Sequence, residues 1–163
     1  NKLHYWFFLV IACNSSRFIS YLIWKNKILD HYKNPLNKEL LPNPIAQVTH
    51  LNTSCGDEIV LNLHLNGEIV EHITWDGIGC SISQASTSVM SDLLTGKPID
   101  EALVILNSFV EVIQSKGKLS GDDEIIGDGV AFAGVSKFPA RVKCALIGWM
   151  AFKDASVQAQ SKG

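Results

Sequence analysis

The stretch from Ile59 to Trp75 limits the possible folds more than any other part of the chain. Ile59, Leu61, Leu63 and Leu65 alternate with Val60, Asn62 and His64. That period of two makes one face of an extended strand apolar. Asn66-Gly67 follows, a dipeptide suited to a two-residue type I′ turn. Ile69, Ile73 and Trp75 then return on a second strand, closed by Asp76-Gly77. A hairpin alone is marginal in water, so its apolar face needs a cover.

The flanking sequence supplies helices for that cover. Ile82, Ala85, Val89, Met90 and Leu93 mark a helix over 81–95, stopped by Gly96. Pro98, Asp100 and Glu101 open another that runs through Leu103, Leu106, Phe109, Val110 and Ile113 to Gly117. Proline and acids suit a first turn, where amides are unpaired and the dipole end is positive. Pro139 opens a last helix with Val142, Ala145, Leu146, Trp149 and Met150, and a polar tail from Ser156 is expected to fray. Upstream, Phe18, Tyr21, Leu22, Ile28 and Leu29 recur at helical spacing until Pro35. Pro42 and Pro44 stiffen a connector into a strand over 45–52. Residues 117–137, rich in glycine and acids, read as one long loop, a length that usually signals function or mobility.

With 163 residues, the chain fits one domain, expected over 16–156 with 157–163 as polar tail. Apolar residues form 47% and charged residues 18%, which excludes general disorder. A net charge of -2 provides no basic footprint for nucleic acid. Residues 1–15 contain an apolar run from Tyr5 to Cys13. It is too short to span a bilayer and is expected to be a leader translated from upstream of the true start. No membrane association is expected, and Cys13 is set aside from any site.

The remaining thiols carry the chemistry. Cys55 and Asp57 lie in Thr-Ser-Cys-Gly-Asp, Cys80 in Gly-Ile-Gly-Cys-Ser-Ile-Ser, and Cys144 in Arg-Val-Lys-Cys-Ala. Three thiolates and a carboxylate could fill a tetrahedral zinc site, or receive sulfide, iron or a persulfide. They come from three elements, so packing must unite them. Gly56 removes bulk between two of the candidates and permits unusual backbone angles. A helix start favours thiolate at Cys80, and Arg141 and Lys143 could balance the negative charge. Read blandly, Cys144 is a small buried hydrophobe in its helix. His31, His50, His64 and His72 have no spacing that demands ligation. The hydroxyl run of Ser81, Ser83, Ser86, Thr87, Ser88 and Ser91 lacks a nucleophile elbow or a phosphate-loop lysine, and fits close helix packing better. Asp122-Asp-Glu124 lacks the alternation of a calcium loop.

Taken together, these residues resemble the U-type iron–sulfur cluster assembly proteins, the IscU/NifU/SufU family. Ile28-Leu-Asp-His-Tyr-Lys-Asn-Pro35 looks like the family's first-helix signature, and the three cysteine segments look like its three motifs. The resemblance implies an α+β fold, a small three-stranded antiparallel sheet covered by helices (SufE/NifU-like). Lys143 stands where cluster scaffolds usually carry histidine, and residues 117–137 resemble the insertion of the SufU branch. For that branch the resemblance implies Zn²⁺ held by Cys55, Asp57, Cys80 and Cys144. It also implies Cys55 as the acceptor of persulfide sulfur from a SufS-type cysteine desulfurase, in the cytoplasm, with downstream iron–sulfur assembly proteins as further partners.

Three functions stay open. The chain is a zinc-dependent sulfurtransferase-like sulfur acceptor, or a scaffold on which iron or an iron–sulfur cluster is assembled and transferred. The third option is non-catalytic, a structural zinc or binding module.

Overall fold

The structure, a computed structural model, describes residues 22–162. The apolar leader 1–15 and Cys13 lie outside the described residues. Residues 22–33 are helical (α1). Three strands follow, β1 (Ala46–Asn52), β2 (Asp57–Asn66) and β3 (Ile69–Ile78). Then come α2 (Ser81–Leu94), α3 (Ile99–Gln114), a short α4 (Asp123–Ile126), a 3-10 segment (Gly127–Lys137) and α5 (Pro139–Ser161). The strands form one antiparallel sheet in the order β1-β2-β3, so the expected α+β architecture holds.

Strand register follows from the alternation. Leu61 pairs with Val48 on one side and Trp75 on the other, and Leu63 pairs with Ala46 and Ile73. All six are buried on the face covered by helices. Burying a side chain of this size stabilises by about 1.5–3 kcal/mol, which is the main reason the register does not slip. α5 packs on β1 and β2, with α2 and α3 packed against it. Phe109 of α3 stacks on Trp149 of α5 with centroids 3.9 Å apart, and Phe132 meets Phe109 edge-on. The other sheet face is polar and is crossed by the connector. There Asn62 donates to Leu41 O, and Leu41 N donates to Thr74 Oγ1.

The hydroxyl run on α2 proves to be two hydrogen-bonding tracks. On one side Ser88 Oγ accepts from Leu36 N, and Ser91 Oγ accepts from the Asn37 amide, tying down the connector. On the other, Ser86 donates to Ala145 O and accepts from the Trp149 indole. At Gly148 of α5, any Cβ would overlap Thr87 of α2, so the two helices approach as closely as their backbones allow.

The turn of the hairpin differs from expectation. Asn66 pairs with Ile69, which moves the turn onto Gly67-Glu68. Gly67 alone has positive φ, at 60°, the pattern of a type II′ turn with glycine first. A register shift at His64/Leu65 leaves one extra residue in β3 and accounts for the displacement. Residues 117–137 also depart from the expected single loop. Asp122 caps α4 by accepting from Glu124 N, and Ile126, Phe132 and Val135 are buried in the core. α5 runs on to Ser161, past the expected start of fraying, with Ser156 and Ala159 buried.

Candidate metal centre

The thiols meet at one end of the sheet. β1 ends and β2 begins there with Asn52 paired to Asp57, both on the helix-covered face. The turn between them carries Cys55, whose N–H donates to Asn52 O at 3.2 Å. Gly56 closes it with φ 68°, a conformation that other residues resist. α2 starts at the same end directly after Cys80, and α5 brings in Cys144 one turn beyond its opening Pro139.

The ligand atoms of Cys55, Asp57 and Cys144 all lie within 4.8 Å of one another. The two sulfurs are 3.2 Å apart. Sulfur and oxygen ligands around zinc, at about 2.3 Å and 2.0–2.2 Å, require separations of this order. The Cys80 thiol lies outside this tightest grouping. It still contacts Cys144 closely enough to help raise that thiol's pKa. The structure therefore unites three of the four expected ligands and places the fourth at their edge.

Asp57 is almost wholly buried, and its carboxylate is held from several sides. Oδ1 accepts from Cys80 N at 2.9 Å and from Ser83 Oγ at 3.1 Å, and Oδ2 accepts from the Asn52 amide at 3.3 Å. Burial works against its charge. Hydrogen bonds from the Cys80 amide, Cys144, Ser83 and Asn52 outweigh that penalty and hold its pKa below the ordinary carboxylate value. Cys144 is driven the other way. Burial, the adjacent Cys55 thiol, Asp57 and Cys80 all push its pKa far up. A thiol and a carboxylate this close could both act as ligands, since a metal that binds displaces the thiol's proton. Arg141, exposed above the thiols, has its pKa raised by a hydrogen bond with Cys144 and by the charges of Cys80, Cys144 and Cys55. Lys143 is exposed and faces a separate hollow shared with Thr53 and Ser54.

The histidines serve elsewhere. His50 Nε2 lies 2.7 Å from Asp154, His31 Nδ1 2.8 Å from Ser88 Oγ, and His64 Nε2 2.9 Å from Pro42 O. Among the described residues none joins the thiol cluster. Three contributors escaped the sequence reading: Asn52, Gly79 and Ser83. A Cβ at Gly79 would overlap both Asp57 and Ser83, so glycine lets the carboxylate sit under the start of α2. Its place in Gly77-Ile-Gly-Cys was the available signal. Asn52 and Ser83 carried none beyond their nearness to the cysteines.

A three-stranded sheet under helices, with three thiols and a carboxylate gathered at one end, defines a small α+β domain with a candidate metal or sulfur site. Residues 23–145 match the NifU-like N terminal domain family, and the chain belongs to it. It is 46% identical over 132 residues to the zinc-dependent sulfurtransferase SufU of Bacillus subtilis, covering 80% of this chain and 87% of that one. It is 37% identical over 128 residues to the iron–sulfur cluster assembly scaffold protein IscU of Streptococcus pyogenes, covering 78% and 79%. Among solved structures, a candidate iron–sulfur cluster assembly scaffold protein for the SUF system from Fervidobacterium islandicum superposes with a TM-score of 0.74. The two are 31% identical, with 80% of this chain and 93% of that one covered.

Proposed function

We propose that this chain is a zinc-dependent sulfur acceptor in iron–sulfur cluster assembly, with Cys55 taking persulfide sulfur from a SufS-type cysteine desulfurase. One observation carries the reading. Cys55 is half-open on a four-residue turn, while its partners Asp57 and Cys144 are buried and fixed by strand and helix. Similarity to a relative named as a zinc-dependent sulfurtransferase supports it. Cys55, Asp57, Cys80 and Cys144 would hold Zn²⁺, which keeps thiols deprotonated without redox activity of its own.

The transfer is a thiol exchange. The Cys55 thiolate attacks the outer sulfur of the donor's persulfide. A new sulfur–sulfur bond forms at Cys55 as the old one breaks, and the donor's cysteine leaves as thiolate. No external oxidant or reductant is needed. Arg141 supplies positive charge where the negative sulfur arrives. Three unpaired thiols suit a reducing compartment, and the cytoplasm is the proposed location. Among the described residues no helix is long and apolar enough to cross a membrane.

Desulfurase turnover with and without the zinc-loaded chain tests the reading. Wild type is expected to stimulate, and Cys55→Ala to lose the stimulation while retaining its fold. Equal stimulation by the variant would sink the assignment. The scaffold role is the second reading, supported by similarity to the Streptococcus relative named as a scaffold. A cluster that forms anaerobically and passes to an apo-protein, with zinc dispensable, would favour it.

A further inference from the structure

Beside the thiols lies a groove of about 570 Å³, of whose lining the sulfur-transfer reading uses only Arg141. It runs between α1, the start of α2 and the end of the 3-10 segment. Its apolar lining includes Ile28, Ile82 and Val135, with Phe138 standing 61% exposed at its edge. Lys25, Lys137 and Arg141 also line it, and among the described residues no acidic one does. All three cations are exposed.

The groove is built into the fold. Trp24 packs against Gly134, where any Cβ would overlap the indole ring. One turn further along, Lys27 pairs with Asp128 of the 3-10 segment, and His31 bonds Ser88 of α2. α1 is thus fastened to both the 3-10 segment and α2, the elements that form the other walls of the groove. A preformed cleft avoids the ordering penalty of closing around a ligand.

We propose that this groove docks an extended segment of the sulfur-donating desulfurase, one that presents an apolar side chain flanked by carboxylates. The proposal rests on the sulfur-acceptor reading above. Charge complementarity sets the flanking carboxylates, and the apolar walls set the inserted side chain. Position selects the partner. Ser81, next to Cys80, lines the groove, and Arg141 both lines it and couples to the thiols. A segment held there belongs to whatever molecule is delivering sulfur to Cys55. The groove is far smaller than a whole protein interface, so it acts as one anchoring subsite within a larger contact.

The test measures binding of the zinc-loaded full chain to the SufS-type desulfurase by calorimetry, beside turnover. Lys25→Glu with Lys137→Glu is expected to raise the Kd about tenfold or more, with zinc content unchanged and the effect greatest at low salt. Lys118→Glu with Lys153→Glu, the same charge change outside the groove, is expected to move it less than about twofold. A photo-reactive phenylalanine in place of Phe138 should then crosslink to an acidic segment of the desulfurase. An unchanged Kd for the groove pair, or equal losses for both pairs, overturns the proposal. So does a crosslink to a second copy, to residues 1–21 of the same chain, or to no desulfurase segment. Wild-type binding that fails to stimulate turnover would refute the acceptor reading and leave the groove standing. Stimulation with an unchanged Kd for the groove pair would do the reverse.

Discussion

Cys55 and Cys144 sit 3.2 Å apart on opposite kinds of support. Cys144 belongs to the α2–α5 interface, where Gly148 and Thr87 press two backbones together and Ser86 is bonded to both Ala145 and Trp149. Cys55 belongs to a four-residue turn in which, among the described residues, nothing lies within 4 Å of the space a Gly56 Cβ would take. One thiol is set by the core and the other by a turn with room around it. A sulfur carrier requires this division. A fixed residue keeps the site's geometry, while a freer one leaves it, attacks and returns.

The largest effect is expected on the fixed side. Gly148→Ala forces a methyl group into Thr87, and interdigitated helices cannot yield without displacing Trp149. Overpacking of this kind costs about 2–3 kcal/mol, which lowers Tm by roughly 5–10 °C for a domain of this size. Thermal unfolding of the metal-free protein measures it. A drop smaller than a degree would mean that the interface is looser than the contact implies.

The next effect falls on the pivot between the two regions. Asn52 reaches Asp57 Oδ2 at 3.3 Å and Cys144 Sγ at 3.8 Å, and its own oxygen accepts from Ser54 at 2.6 Å on the Cys55 turn. Asn52→Ala removes this brace while leaving every proposed ligand in place. Loss of such an outer partner typically weakens metal affinity about tenfold or more. Competition with a chromophoric chelator reads the change, and circular dichroism should show an intact fold.

Acid probes the fixed side through Asp57. Its pKa is lower in the folded protein than in the unfolded chain. The stability it contributes is therefore fully present above the ordinary carboxylate range, about pH 4, and is lost as pH falls through the folded value. Asp128, also lowered by Lys27 and His31 against its own burial, adds a parallel loss. Urea midpoints of metal-free protein, measured from pH 6 downward, should fall in this window. Asp57→Asn should flatten that fall in part and leave the Asp128 share.

The two regions also differed in how openly the sequence declared them. The hairpin and α2 were legible because periods of 2 and 3.6 leave a trace wherever one face is buried. Cys55, Asp57, Cys80 and Cys144 stood out through the glycines and hydroxyls around them. Residues 123–137 were not legible, because Gly127, Gly129 and Gly134 interrupt any period while Ile126, Phe132 and Val135 reach the core singly. α5 is buried on several sides, so no apolar stripe marked its true end at Ser161. The hairpin turn was misplaced because one extra residue in β3 leaves no mark in an alternation read from β2. The braces on Asp57 were hidden for a related reason. Asn52 and Ser83 act only through tertiary approach, and ordinary polar residues give no local sign of it.

The smallest effect on stability, and the sharpest for the comparison, concerns Gly56. At φ 68° a side chain is disfavoured by its own backbone, although no described residue lies within 4 Å of an added Cβ. Gly56→Ala should cost only about 1–2 kcal/mol and leave zinc content near that of wild type. If Cys55 must swing out to meet sulfur, the same variant should slow desulfurase-coupled transfer by more than its loss of stability explains. The added methyl shifts the turn towards backbone angles that glycine did not favour. Gly56→Asn separates the two contributions, since asparagine tolerates the left-handed region better than alanine. Recovery of transfer by asparagine would tie the rate to the conformation of the turn. Equal rates for alanine, asparagine and glycine would show that Cys55 reacts from where it stands, and the contrast between a free and a fixed thiol would then have no part in the chemistry.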